Sequence, residues 1–85
     1  MIQTVVKRDG RIVGFNEEKI ATAIRKAMLH TQMGEDMQLI RQITDRISFK
    51  GAPQMTVEDI QDAVEMELMN SSRKDVAQKY IAYRN

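Results

Sequence analysis

"VVKRDGRIVGFN", residues 5–16, decides how the chain begins to fold. Asp9-Gly10 separates two short β-rich runs, residues 4–8 and 11–15, and an Asp-Gly pair in that setting is the strongest short-range hairpin signal. A two-residue type I′ loop sets Arg8 opposite Arg11, Lys7 opposite Ile12 and Val6 opposite Val13. Like charges facing each other across a sheet are destabilising, so this register predicts a local conflict that a bound anion would relieve. The second run passes directly into Asn16, a preferred helix N-cap.

Outward from that hairpin, the spacing predicts four helices. Glu17 and Glu18 suit the positive end of a helix dipole, and Ile20, Ile24, Ala27 and Met28 recur at helical spacing, giving a helix over about 17–30. After the turn "MGED", the stripe Met37, Ile40, Ile43, Thr44 and Ile47 predicts a second over about 35–48, which "KGAP" breaks. "PQMT" reads as a brief extended segment that would join the hairpin, because an isolated two-stranded hairpin is marginal in water. Thr56 with Asp59 resembles a capping box and opens a helix over about 57–70 with Val57, Ile60, Val64 and Leu68 inward. Ser72 with Asp75 repeats the signal for a helix over about 72–84 with Val76, Tyr80 and Tyr83 inward. The expected fold is α+β and mainly helical, a four-helix bundle capped by a three-stranded lid made of the hairpin, about 3–15, and one short strand. Residues 1–85 form a single domain.

Composition narrows the function classes. A chain of 85 residues supports one small core, and a formal charge of +1 provides no global field for nucleic acid. The absence of cysteine excludes a disulfide framework, a zinc ribbon and a thiol nucleophile in these residues. No apolar run approaches the roughly 18 residues needed to span a bilayer, and residues 1–10 lack a signal-peptide core. The expectation is a cytoplasmic protein. The single His30 falls near a helix end with no assignable catalytic partner. Glu58, Asp62 and Glu65 share one helix face, either as a solvated surface or as a divalent-cation ligand set. The acids of 57–70 against the cations of 71–85 read as complementary helix faces or as a basic tail for an anionic partner.

No P-loop and no Gly-rich dinucleotide fingerprint is present. An anion site is nonetheless suggested by Lys7, Arg8 and Arg11 beside the free N–H groups of the first helix. Lys19 falls at N3, where a cation is unfavourable unless an anion is near or Glu17, Glu18 or Asp9 pairs with it. Val5, Ile12 and Phe15 serve either the core or an apolar surface for a base.

The stretches "VVKRDGRIVGFNEEKIATAIRKA", "TVEDIQDAVEMELM" and "VAQKYIAYR" together resemble the ATP-cone, a nucleotide-binding regulatory domain of ribonucleotide reductases and of the bacterial repressor of their genes. The resemblance covers about residues 4–84 and implies the same bundle and lid. It implies allosteric control of overall reductase activity, in which ATP permits turnover and dATP inhibits it through oligomeric state. Carried over by motif, Lys7 and Arg8 contact phosphates, and Asn16 and Lys19 lie under the lid. The implied nucleotide set is Val5, Lys7, Arg8, Arg11, Asn16, Lys19, Ile20 and Thr56, with Mg²⁺ accompanying the triphosphate and no catalytic residue.

A cone beginning next to Met1 without a zinc ribbon favours a reductase over the repressor, and the wording is most similar to the anaerobic ribonucleoside-triphosphate reductase, with an aerobic or cobalamin-dependent reductase second. The chain would then be the N-terminal regulatory part of a longer oxidoreductase. Its partners would be the catalytic domain of the same chain and other subunits of a nucleotide-dependent oligomer. The alternatives are a repressor module on DNA and a ligand-free helical docking domain.

Overall fold

The computed structural model describes all residues, 1–85. Two strands, β1 (Thr4–Val6) and β2 (Ile12–Gly14), form the hairpin, but its register differs by one residue from the expected one. Val6 lies opposite Ile12, Val5 opposite Val13 and Thr4 opposite Gly14. The Lys7 N–H donates to the Arg11 carbonyl at 2.7 Å and the Gly10 N–H to the Lys7 carbonyl at 2.9 Å, so the loop holds three residues, Arg8-Asp9-Gly10. A type I′ loop needs two central residues with positive φ, whereas in this hairpin Gly10 alone has it, at 90°. Asp9 acts instead as an Asx-type clasp: its carboxylate accepts the Arg11 N–H at 3.1 Å and Arg11 Nε at 2.7 Å. The expected Arg8–Arg11 clash is therefore absent.

Helix α1 (Glu17–Leu29) follows, with the Asn16 side chain accepting from the Glu18 N–H. Helix α2 (Met37–Lys50) starts later than expected because Asp36 is the cap, accepting the Leu39 N–H at 3.1 Å. Strand β3 (Gln54–Thr56) then pairs parallel to β1 with Val5 beside Met55, giving the sheet order β2-β1-β3. Helix α3 (Val57–Met69) starts directly from it, capped by Thr56 Oγ1, which accepts the Asp59 N–H at 3.0 Å. Ser72 caps nothing. Helix α4 (Lys74–Arg84) begins after Arg73 with no side-chain cap, because Ser71 Oγ takes the Arg73 N–H and itself donates to Leu68, closing α3.

The helices form a four-membered ring: α1 packs on α2 and α4, and α3 on α2 and α4. Their centre is the expected one, with Ile20, Ile24, Ala27 and Met28 of α1, Ile40, Ile43 and Ile47 of α2, and Val64 and Leu68 of α3 all buried. Each of these side chains larger than Ala27 contributes about 1.5–3 kcal/mol on burial, which is how so short a chain holds one core. Two expected inward residues are exposed, Met37 at 63% and Tyr83 at 62%. Met37 is the first residue of α2. On α4 the inward place near Tyr83 goes to Arg84, whose guanidinium donates to Asp62 at 2.9 Å and Glu65 at 3.3 Å on α3. No helix is long and apolar enough to cross a membrane.

Candidate functional site

The one-residue register change has a direct effect on the inner face of the sheet. Cross-strand partners share a face, so Val5 and Val13 point inward together, with Lys7 on the same side two residues along β1 and Phe15 two residues beyond Val13. Ile12 turns outward and is 61% exposed, which removes it from the apolar surface expected for a base. Between this inner face and the bundle lies a cavity of about 190 Å³. Val5, Val13 and Phe15 form its roof, Ile20 and Ala23 of α1 and Val57, Ile60 and Val64 of α3 its walls, and Tyr80 of α4 joins them. Its polar edge is Lys7, Asn16, Lys19 and Gln61. A second cleft of about 360 Å³ shares Asn16, Lys19 and Ala23 with it and continues along α1 to Lys26 and to Tyr83.

Electrostatics single out two of these groups. Every arginine in the chain is ion-paired: Arg8 to Glu58, Arg11 to Asp9, Arg25 to Glu35, Arg41 to Glu17 and Asp45, Arg46 to Glu67, Arg73 to Asp75, and Arg84 to Asp62 and Glu65. No lysine of the chain is ion-paired, and Lys7 and Lys19 are the two that line this cavity, with Asp9 taken by Arg11 and Glu17 leaning toward Arg41. Lys19 lies in the first turn of α1 behind Glu17 and Glu18, at the end of the helix where the dipole disfavours a cation. The Arg11 backbone N–H and then its guanidinium hold the Asp9 carboxyl below its ordinary range, so it stays an anion committed to the loop. Burial raises the Tyr80 phenol above its ordinary value, which keeps it neutral.

The structure brings Val5, Lys7, Asn16, Lys19 and Ile20 together around the cavity. Arg8 and Arg11 lie at the hairpin tip outside its wall, and Thr56 caps α3. Gln61 and Tyr80 were missed. Gln61 had a signal: positions 57, 61, 64 and 68 share a helix face, and a glutamine there interrupts an otherwise apolar stripe. The acids of α3 serve different partners: Glu58 serves Arg8, Glu67 serves Arg46, and Asp62 and Glu65 serve Arg84, the one cation of 71–85 that pairs with α3. His30 is exposed at the C-terminus of α1. The arrangement offers an apolar slot with two free ammonium groups at its edge, suited to a flat, partly apolar ligand carrying negative charge.

Comparison with known proteins agrees with that chemistry. The model of the ATP cone domain matches residues 3–85. A vitamin B12-dependent ribonucleoside-diphosphate reductase of Thermoplasma acidophilum is 45% identical over 99% of this chain and 12% of its own length. The ribonucleoside-diphosphate reductase subunit alpha of Chlamydia pneumoniae is 35% identical over 98% of this chain and 9% of its own. The anaerobic ribonucleoside-triphosphate reductase of Escherichia coli is 34% identical over the whole chain and 12% of its own. The chain thus spans about a tenth of the length of these relatives.

Proposed function

The chain belongs to the ATP-cone family, and from that membership we propose that it is an allosteric ATP/dATP-binding domain governing the overall activity of a ribonucleotide reductase in the cytoplasm. The observation that carries this reading is the pair of unpartnered lysines, Lys7 and Lys19, at the edge of an apolar cavity in a protein whose arginines are all neutralised. The base and ribose occupy the slot among Val5, Phe15, Ile20 and Ile60. The phosphates meet Lys7 and Lys19, with Arg8 and Arg11 nearby at the lid tip, each to be drawn from its carboxylate, and Asn16 and Thr56 at the two flanking helix starts.

The cavity of about 190 Å³ is below the roughly 300–1,000 Å³ of an ordinary ligand pocket, so the triphosphate extends into the adjoining cleft. ATP permits turnover and dATP stops it by changing how subunits of the longer enzyme assemble. Each nucleotide must therefore favour a different state of the domain, since a ligand shifts an equilibrium only by its differential affinity. The residues present fit Mg²⁺ only as a companion of the phosphates, because no group of three or more acidic or histidine side chains is placed to hold a metal. These 85 residues perform no catalysis themselves.

Calorimetric titration tests the reading. ATP and dATP are expected to bind saturably and to raise the melting temperature, and adenosine to bind far more weakly. No heat and no thermal shift with either nucleotide at millimolar concentration would overturn it.

A further inference from the structure

Arg8 is the residue of the lid tip that reaches back to the bundle. Its Nε donates to Glu58 Oε1 at 2.8 Å and its Nη2 approaches Gln61 Oε1 at 3.4 Å, across fifty positions of sequence. Glu58 belongs to the first turn of α3, and Gln61, one turn on, lines the cavity. The contact therefore fastens the tip of the hairpin to the wall of the cavity the hairpin covers. Both partners are half exposed, so the bond is weak and exchangeable.

We propose that Glu58 is an internal competitor of the ligand: it holds Arg8 against α3, and a polyphosphate must take Arg8 from it to bind. This rests on the nucleotide reading above. The chemistry is symmetrical, since a carboxylate and a phosphate oxygen accept the same charge-assisted bonds from a guanidinium. Arg8 then has two alternative partners, and the lid has two fastenings, one to α3 and one to the ligand. Lys7 and Lys19, having no internal partner, add attraction without exchange. Glu58 thereby sets the nucleotide threshold at which the lid responds.

The test is a double-mutant cycle read by calorimetry with ATP. Glu58→Gln is expected to tighten ATP binding roughly two- to fivefold, the range such an exposed pair supplies, and to leave adenosine binding unchanged. The gain should vanish in an Arg8→Ala background. Asp59→Asn, which removes the same charge one residue away, should not reproduce it. Weaker ATP binding by Glu58→Gln would overturn the proposal, because Glu58 would then be orienting Arg8 for the ligand. A gain that survives Arg8→Ala, or that Asp59→Asn matches, would overturn it in favour of simple charge repulsion. Absence of ATP binding by the unaltered protein would instead remove the nucleotide reading itself, a separate result. Thermal melting of each variant without ligand checks that the fold is kept.

Discussion

Arg73, at the threshold of α4, donates from Nη2 to the carbonyl oxygen of Gly34 at 3.0 Å, tying the start of the last helix to the loop between the first two. The same guanidinium reaches Thr31 Oγ1 at 3.1 Å and both carboxylate oxygens of Asp75, and the residue is 6% exposed. Arg73→Met should lower unfolding stability by about 1–3 kcal/mol, the effect of leaving a partly buried carbonyl without its donor. Urea unfolding at neutral pH measures it. A loss below that of an ordinary surface substitution would mean that water replaces the guanidinium.

The contact of Arg73 with Asp75 sets an acid dependence. The Arg73 guanidinium holds the Asp75 carboxyl below its ordinary value of 3.8, and Arg11 does so for Asp9. A carboxyl depressed in the folded state binds protons more readily when unfolded, so its stabilisation is complete above the unfolded value and is lost as pH falls through the folded one. The urea midpoint should hold near pH 5 and drop below about pH 4, where free carboxylates begin to protonate. The drop should be shallower in Arg73→Met. An identical slope in both proteins would remove Asp75 from the effect.

Gly51 ends α2 with φ at −67°, so no special conformation requires glycine there. Space requires it. A Cβ at this position would sit 2.7 Å from Ile2 Cδ1 and 2.9 Å from Met55 Sδ, under the buried side chain of Ile2. Gly51→Ala should therefore destabilise by about 1–3 kcal/mol through overpacking. Guanidinium unfolding would show this, and a neutral result would mean that Ile2 moves aside freely.

Lys7→Met and Lys19→Met separate ligand binding from folding. Each should weaken ATP roughly 10- to 100-fold, the scale of one lost charge-assisted bond. Lys19→Met should also hold or raise the melting temperature, because it removes a cation from a helix N-terminus. Calorimetry and thermal melting in parallel check both. Unchanged affinity in the folded variants would move the phosphates away from this edge of the cavity.

The local features of this fold were legible because they are local. Asn16 and Thr56 each cap a helix within three residues, and the stripe from Ile20 to Met28 repeats at a period that only a helix places on one face. Val5, Lys7, Asn16, Lys19 and Ile20 come together because a strand and a helix start adjoin in sequence. The register was not legible, since Asp-Gly supports both a two- and a three-residue loop. The choice followed the Asp9 clasp on Arg11 and the pairing of β1 with β3.

By itself, then, the sequence determined the helices, the hairpin, the third strand and the presence of cations beside a helix start. Only the tertiary structure decided which cations are free. It brought Glu58 to Arg8 and Asp62 to Arg84 from distant positions, buried Arg73 against Gly34, and put Gln61 and Tyr80 at the cavity. The reason is physical: caps and periodicity act over a few residues, whereas the partner of a charge depends on which helix the packing of the core brings alongside.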